Sequence, residues 1–495
     1  MTYAVRATGG AWASPAARCA WLVALAVALS SPPAGAASDV AYRVTYAAPA
    51  TGQIVVSVTW GAPLAAARAF VMPRAIPMGY GEQRYDAFVE ALDAVGAAGA
   101  AQSRAERLEG PRWQLPAGTT AVRYRVDLQR MEREIVGASD ASRVRDGYLG
   151  ALGYSVFGYV DGLEDRAVQL EVEAPEGWPV LSTLSPRWPV QVARTAATAA
   201  DFYALADSQV VMGPRAVFRR LAERPVPVFL ASYAEGEVDL ERVGRLIVTA
   251  FQQVAGYFGS VPFAHYTVHQ ELLLPLTPRH EYGMSMEHLD SSTYYLAAEA
   301  GLTAASGPQD EARTLYNFAH HIAHAWLPKR VSGEGYFPFQ WELAPVIDTI
   351  WFAEGFGQYA AIMALAPAMP DPAGFRAGML ERRFQRNLDE APAFLRRLGL
   401  IDLSRVASTR YGEDFRTGRL VFSRGGLMAA AIDDRIRSTT QGQKHLRDGL
   451  RSLLAWAARE RRGFRTEELA DLLRQGTGVD VADIIATWLQ PLPPR

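Results

Sequence analysis

Lysine is nearly missing from this 495-residue chain: it occurs only at Lys329 and Lys444, and arginine carries almost all the positive charge. Cysteine is rarer still, with Cys19 alone. One cysteine excludes an internal disulfide framework, and its position near the N-terminus gives a folded domain no thiol nucleophile. Charge of one sign is not in excess. The 50 basic and 52 acidic side chains leave a net charge of -2, so there is no electrostatic case for binding nucleic acid. Long apolar runs are missing beyond the first thirty residues, where nothing reaches the ~20 residues needed to span a bilayer. What remains, 49% hydrophobic and 21% charged, is ordinary for a globular protein, and the length allows two to four domains.

The first residues read as an export signal. Arg6 and Arg18 precede an apolar run from Cys19 to Leu29, and Ala34-Gly35-Ala36 follows the small-residue cleavage pattern. About 11 apolar residues are too few for a membrane span, although an uncleaved anchor is the alternative reading. Pro15, Ala16 and Ala17 do not supply a lipobox before Cys19. The expectation is a signal peptide over 1–36 and an exported protein, periplasmic or extracellular, with no further membrane contact.

Beyond it the hydrophobic pattern has period two. Tyr42, Val44 and Tyr46 stand at alternate positions, as do Ile54, Val56, Val58 and Trp60. The pattern returns at Val122, Tyr124, Val126 and Leu128, and at Val168, Leu170 and Val172. With Gly/Pro punctuation between them, these predict an antiparallel β domain of sandwich type over 37–212. The Ala/Gly-rich stretch from Val95 to Ala101 predicts a loop or short helix. Near 237 the period lengthens. Asp239 can cap a helix carrying Val243, Leu246, Ile247, Ala250, Phe251 and Val254 on one face. A strand is expected over Tyr266 to Leu274, a helix over Asp310 to Trp326, and another from about Ile350. From 375 the text is helical, with a stripe of Leu446, Leu450, Leu453 and Leu454. The fold class expected is a multidomain α+β protein, with a catalytic domain at 213–385 and a helical domain at 386–495.

The chemistry gathers at residues 320–324, His-His-Ile-Ala-His. Residues four apart on a helix share a face, so His320 and His324 can converge on one zinc ion. A carboxylate from a neighbouring helix can complete a three-ligand site, and Glu354 in Trp-Phe-Ala-Glu-Gly is the candidate. His265 and His269 have the same spacing but fall at the expected strand. The working zinc-protease pattern is H-E-x-x-H, in which the Glu is general base. Here His321 stands in that place.

The wider context resembles the glycyl aminopeptidase family of zinc metallopeptidases. In that family H-E-x-x-H is followed by a Trp, a Lys-Arg pair and an L-W-x-x-E-G segment. The counterparts here are Trp326, Lys329-Arg330 and Ile350 to Gly355, with Glu354 thirty residues after His324. The family's G-G-L-E-H segment is matched by Met284-Ser285-Met286-Glu287-His288, and Pro77 to Tyr80 and Pro175 to Trp178 look similar too. The resemblance implies a β-rich N-terminal domain, a thermolysin-like (gluzincin) catalytic domain and a helical C-terminal domain. It implies zinc on His320, His324 and Glu354, with Glu287 receiving the substrate's free α-amine.

Two departures fall on the machinery that the resemblance implies. His321 replaces the base, and Phe422, in Phe-Ser-Arg-Gly, replaces a Tyr whose hydroxyl would stabilise the oxyanion. Losing a general base costs roughly 10²–10⁴ in rate, and losing an oxyanion donor roughly 10²–10³. His321 can act as an unusual base, close the site as a fourth ligand, or hydrogen-bond nearby. Three functions follow. One is a zinc-bound pseudopeptidase holding peptides with a free N-terminus or a protein partner. The second is an active aminopeptidase with His321 as base. The third is a metal-free interaction protein.

Overall fold

The computed structural model describes residues 40–96, 103–137 and 140–493. The expected signal segment, and most of the stretch from Val95 to Ala101, lie outside these residues. Residues 38–495 form one compact unit.

The period-two segments are strands, and their alternation decides which face is inside. Val40–Thr45, Gln53–Trp60, Thr119–Asp127 and Val168–Glu173 belong to one seven-stranded sheet. Tyr42, Val44, Ile54, Val56, Val58, Val122, Tyr124, Val126, Leu170 and Val172 are buried on its inner face. Four- and five-stranded sheets complete the β domain. Their Phe70, Trp113, Leu149 and Val210 join the same core. The expected antiparallel order has one exception: Val40–Thr45 pairs parallel with Val168–Glu173. The chain builds the four-stranded sheet and part of the five-stranded one between these two strands, and such a long crossover can return in either direction.

A five-stranded mixed sheet follows, in the order Val217–Ala222, Val228–Ala234, Tyr266–Leu273, Ser291–Ala297, Gly283–Glu287. Its inner pairings are parallel, and Gly283–Glu287 runs antiparallel along one edge. The helix Leu240–Phe258 covers it. Asp239 caps that helix by accepting from the backbone N–H groups of Glu241 and Arg242, and Gly259 ends it at φ 76°. Its Val243, Ile247, Phe251 and Val254 are buried, as a helical stripe requires.

One core runs from this sheet through the histidine helix to the C-terminal helices, from Val228 to Ile485. Leu446, Leu450 and Leu453 belong to it. The helical run from Pro372 to Asp389 crosses the boundary expected at 385/386 without a break. The molecule is therefore a mixed α+β protein with a β-rich N-terminal domain and a helical C-terminal region that shares its core with the middle sheet. Among the described residues no helix is long and apolar enough to cross a membrane.

Candidate metal centre

Pro308 at the first turn and Asp310, which accepts from the Gly307 backbone N–H at 3.1 Å, start the helix Pro308–His324. Leu315, Phe318, Ala319 and Ile322 bury its apolar stripe. The adjacent face presents His320 and His324, one turn apart. Expected to continue to Trp326, the helix ends at His324, and its next residues tighten into turns. This ending has a use, because it brings the Leu327 carbonyl 2.6 Å from His324 Nδ1. Since a carbonyl only accepts, Nδ1 carries the proton and Nε2 keeps its lone pair for a ligand.

Glu354 arrives on the next helix. Its turn, Trp351–Phe356, is a π-helical widening continued by Gly357–Leu365, and such widenings recur at functional sites. Two glycine contacts fix its position. A Cβ on Gly357 would lie 3.0 Å from His324 Cε1, and one on Gly355 would lie 2.4 Å from Gly425 Cα. The helix bearing Glu354 therefore crosses Phe415–Thr439 backbone to backbone. That crossing sets Phe422, one turn before Gly425, against the same cavity.

His320 Nε2 and His324 Nε2 are 3.3 Å apart. Glu354 Oε2 lies 3.6 Å from the first and 3.5 Å from the second. Tetrahedral zinc with bonds of ~2.0–2.2 Å has ligand-to-ligand edges of roughly 3.3–3.6 Å. The three residues therefore fit the ion. Among the described residues this is the one group of three or more His, Cys, Asp or Glu arranged to hold a metal. The two imidazoles are shifted in opposite directions. Burial, with the charges of His324, His321 and Arg383, pushes His320 well below its usual range, whereas the carboxylates of Glu287 and Glu354 outweigh burial at His324 and lift it to about 9.

His321 stands outside that triangle. Its buried Nδ1 faces Glu287 Oε2 at 3.6 Å, and its ring packs edge-on against Tyr294. Glu287 ends the edge strand Gly283–Glu287 and lines the cavity with His320, His321 and Glu354. Burial raises the Glu287 carboxyl, but His324, His321 and Lys329 more than reverse this and hold it well below the usual carboxylate range. His265 and His269 do not converge: His269 is buried on the strand Tyr266–Leu273, and His265 bonds the Leu184 carbonyl.

Two contributors escaped sequence reasoning. Tyr80, from a loop of the β domain, donates its hydroxyl to Glu354 Oε1 at 3.0 Å, leaving Oε2 for the ion. Burial and the Glu354 charge raise its pKa well above the usual phenol value, so it remains a donor. Asp207 is the second. It accepts from Lys329 Nζ at 3.0 Å, faces His288 Nδ1 at 3.0 Å and accepts from the Leu289 backbone. Lys329 also donates to the Pro77 carbonyl at 3.0 Å. One buried group thus ties the loop of Tyr80 to the strand end of Glu287. The Pro77 to Tyr80 motif was a visible signal for the first; nothing local marks Asp207.

The cavity holds about 420 Å³, is lined on one side by the edge strand, and joins His320 and Glu354 of the triad to the carboxylate of Glu287. Comparison with known proteins gives this arrangement a setting. Residues 41–214 match the peptidase M61 N-terminal domain. An aminopeptidase N family protein from Idiomarina loihiensis has the same fold, with a TM-score of 0.80 at 18% identity over 92% of this chain and 76% of that one. An M1 zinc metallopeptidase from Deinococcus radiodurans, solved as a mutant bound to a Tyr-Ser-Ala substrate, is also similar (TM-score 0.53, 15% identity, 92% and 94% covered). No curated protein sequence matches the chain. The chain is thus similar to the peptidase M61 N-terminal domain over residues 41–214 and, over most of its length, similar in fold to these aminopeptidase structures.

Proposed function

We propose that this protein is a zinc-binding member of the aminopeptidase fold that holds peptides by their free N-terminus and cuts them poorly or not at all. The observation that carries the zinc is the ligand triangle, whose edges of 3.3, 3.5 and 3.6 Å fit one tetrahedral ion. His320, His324 and Glu354 would hold it, and a zinc ion there supplies Lewis-acid polarisation of a peptide carbonyl. The edge strand Gly283–Glu287 offers free backbone groups to an extended peptide. Glu287 at its end pairs with the α-ammonium.

The weak step is proton transfer. No carboxylate stands at position 321, and Phe422, which has no hydroxyl to donate, lines the cavity where the resembling family places a Tyr. One contact favours the second reading, an active aminopeptidase. With Nδ1 of His321 turned to Glu287, its Nε2 is left to take a proton, as a carboxylate-oriented imidazole does elsewhere. A bound ammonium would compete for that carboxylate. The expected signal over 1–36 makes export to the periplasm or beyond part of the same proposal.

Zinc content of the protein purified without chelator or His-tag is expected at about one ion per chain, and near zero in Glu354→Ala. No zinc in either would overturn the metal reading in favour of a metal-free interaction protein. Rapid zinc-dependent release of N-terminal residues would overturn the impaired reading, and its loss in His321→Ala would assign the base.

A further inference from the structure

The metal cavity is not closed at its helical end. A second cavity of about 400 Å³ adjoins it and shares Gln358, Arg383, Phe415 and Phe422 with it. No residue of the edge strand lines this second space, so it leads away from Glu287. Its charge is one-sided: Arg383, Arg386 and Arg419 line it against a single acid, Glu390, which lies 4.0 Å from Arg386. Among the described residues neither Arg383 nor Arg419 pairs with a carboxylate. Their guanidinium groups lie over aromatic rings instead, Arg383 on Tyr316 at 5.4 Å and Arg419 on Phe415 at 5.5 Å. Tyr316 is in turn stacked on the ligand His320, with centroids 6.2 Å apart.

We infer that this arginine-lined cavity receives a carboxylate of the bound peptide, and that its main source is the free C-terminus of a short peptide. The inference rests on the proposed peptide site and extends it to the other end of the ligand. Planar guanidinium groups match a carboxylate in two-pronged fashion. Stacking on rings holds them in place without neutralising them. The Tyr316 relay from His320 to Arg383 is at most roughly three to four extended residues long. A peptide with its amine at Glu287 then ends at Arg383 after only a few residues. Longer chains would have to carry their termini out past the arginines. The site so described selects oligopeptides over proteins.

The test is binding to the zinc-loaded protein by calorimetry, with Ala-Ala-Ala, its C-terminal amide, Ala-Ala-Glu amide and N-acetyl-Ala-Ala-Ala. Amidation is expected to weaken binding by about 10- to 100-fold, and Arg383→Ala to abolish that difference while Arg383→Lys keeps part of it. Arg383 is exposed, so both variants should fold, which thermal unfolding checks. If Ala-Ala-Glu amide regains the affinity, the carboxylate can also come from a side chain; if it does not, the terminus alone is read. Equal affinity for free and amidated peptides overturns the inference. The acetylated peptide separates the two levels. Loss of binding on acetylation with indifference to amidation leaves the peptide site standing and removes only the carboxylate site.

Discussion

Two of the molecule's clusters of buried ionisable groups differ in what completes them. The first, at the seam of the β domain and the middle sheet, sets Arg143 on Glu271 at 2.6 Å and Arg145 on Glu235 at 2.9 Å, with Glu132 held by Arg145. Tyr148, Tyr282 and His269 fill the remaining positions. Each of these carboxylates meets a guanidinium of the protein itself. The second cluster holds His320, His321, His324, Glu287 and Glu354. Among the described residues it has no guanidinium partner; it brings imidazole nitrogens 3.3 Å apart and opens on a cavity. A cluster whose carboxylates all find partners within the protein is architecture. One that still needs a cation and an occupant is a site.

The largest effect should come from changing what the second cluster can do. His321→Glu combined with Phe422→Tyr restores both letters that the resembling family uses. Turnover of unblocked peptides is expected to rise by about 10²–10⁴, the contribution of a general base, with the hydroxyl adding less than its separate value because such groups act together. A stopped assay over zinc-loaded wild type and variant reads it. No gain would mean that cleft shape, and not these two side chains, silences the site.

In the first cluster the readout is stability alone. Arg143→Met leaves Glu271 buried without its partner at 2.6 Å, and breaking such a pair costs about 3–5 kcal/mol. Denaturant unfolding should show it, while the folded fraction keeps its zinc. A change below about 1 kcal/mol would mean that the cluster is not the brace described above.

The difference between the clusters also marks what the sequence could tell. His320, His324 and Glu354 were legible because a helix forces i and i+4 together and one motif spacing fixes the carboxylate. The β domain was legible because Tyr42, Val44, Ile54 and Val56 alternate. The parallel pairing of Val40–Thr45 with Val168–Glu173 was not, since a register set by partners more than a hundred residues away leaves no local trace. The same holds for Asp207, which meets Lys329 and His288 only after both domains have folded. The helical run from Pro372 to Asp389 crosses the boundary expected at 386, and the core that Phe384, Leu388 and Met428 share is set by packing. Arg383 was hidden for another reason. In an arginine-rich helical text, nothing distinguishes the arginine that lines both cavities.

The smallest effect discriminates best, because the same atom can be removed from each cluster. Tyr80→Phe deletes the hydroxyl that donates to Glu354 Oε1 at 3.0 Å and keeps the ring on Tyr411. The carboxylate can then rotate, so zinc should bind about 10- to 100-fold more weakly, as when an outer partner of a ligand is lost. Tyr148→Phe deletes the hydroxyl that bonds Glu271 at 2.5 Å and meets His269 at 2.9 Å. Glu271 Oε1 and His269 Nε2 then each lose a hydrogen bond while Glu271 keeps Arg143, and the cost should be about 1–3 kcal/mol of stability with zinc affinity unchanged. Competition with a chromophoric chelator and denaturant melts on both variants give the four numbers. If Tyr80→Phe moves only stability, or Tyr148→Phe moves zinc affinity, the two clusters are not separable as drawn. A clean crossing of effects would show that burial of charge alone does not define the site, and that convergence on an unfilled centre does.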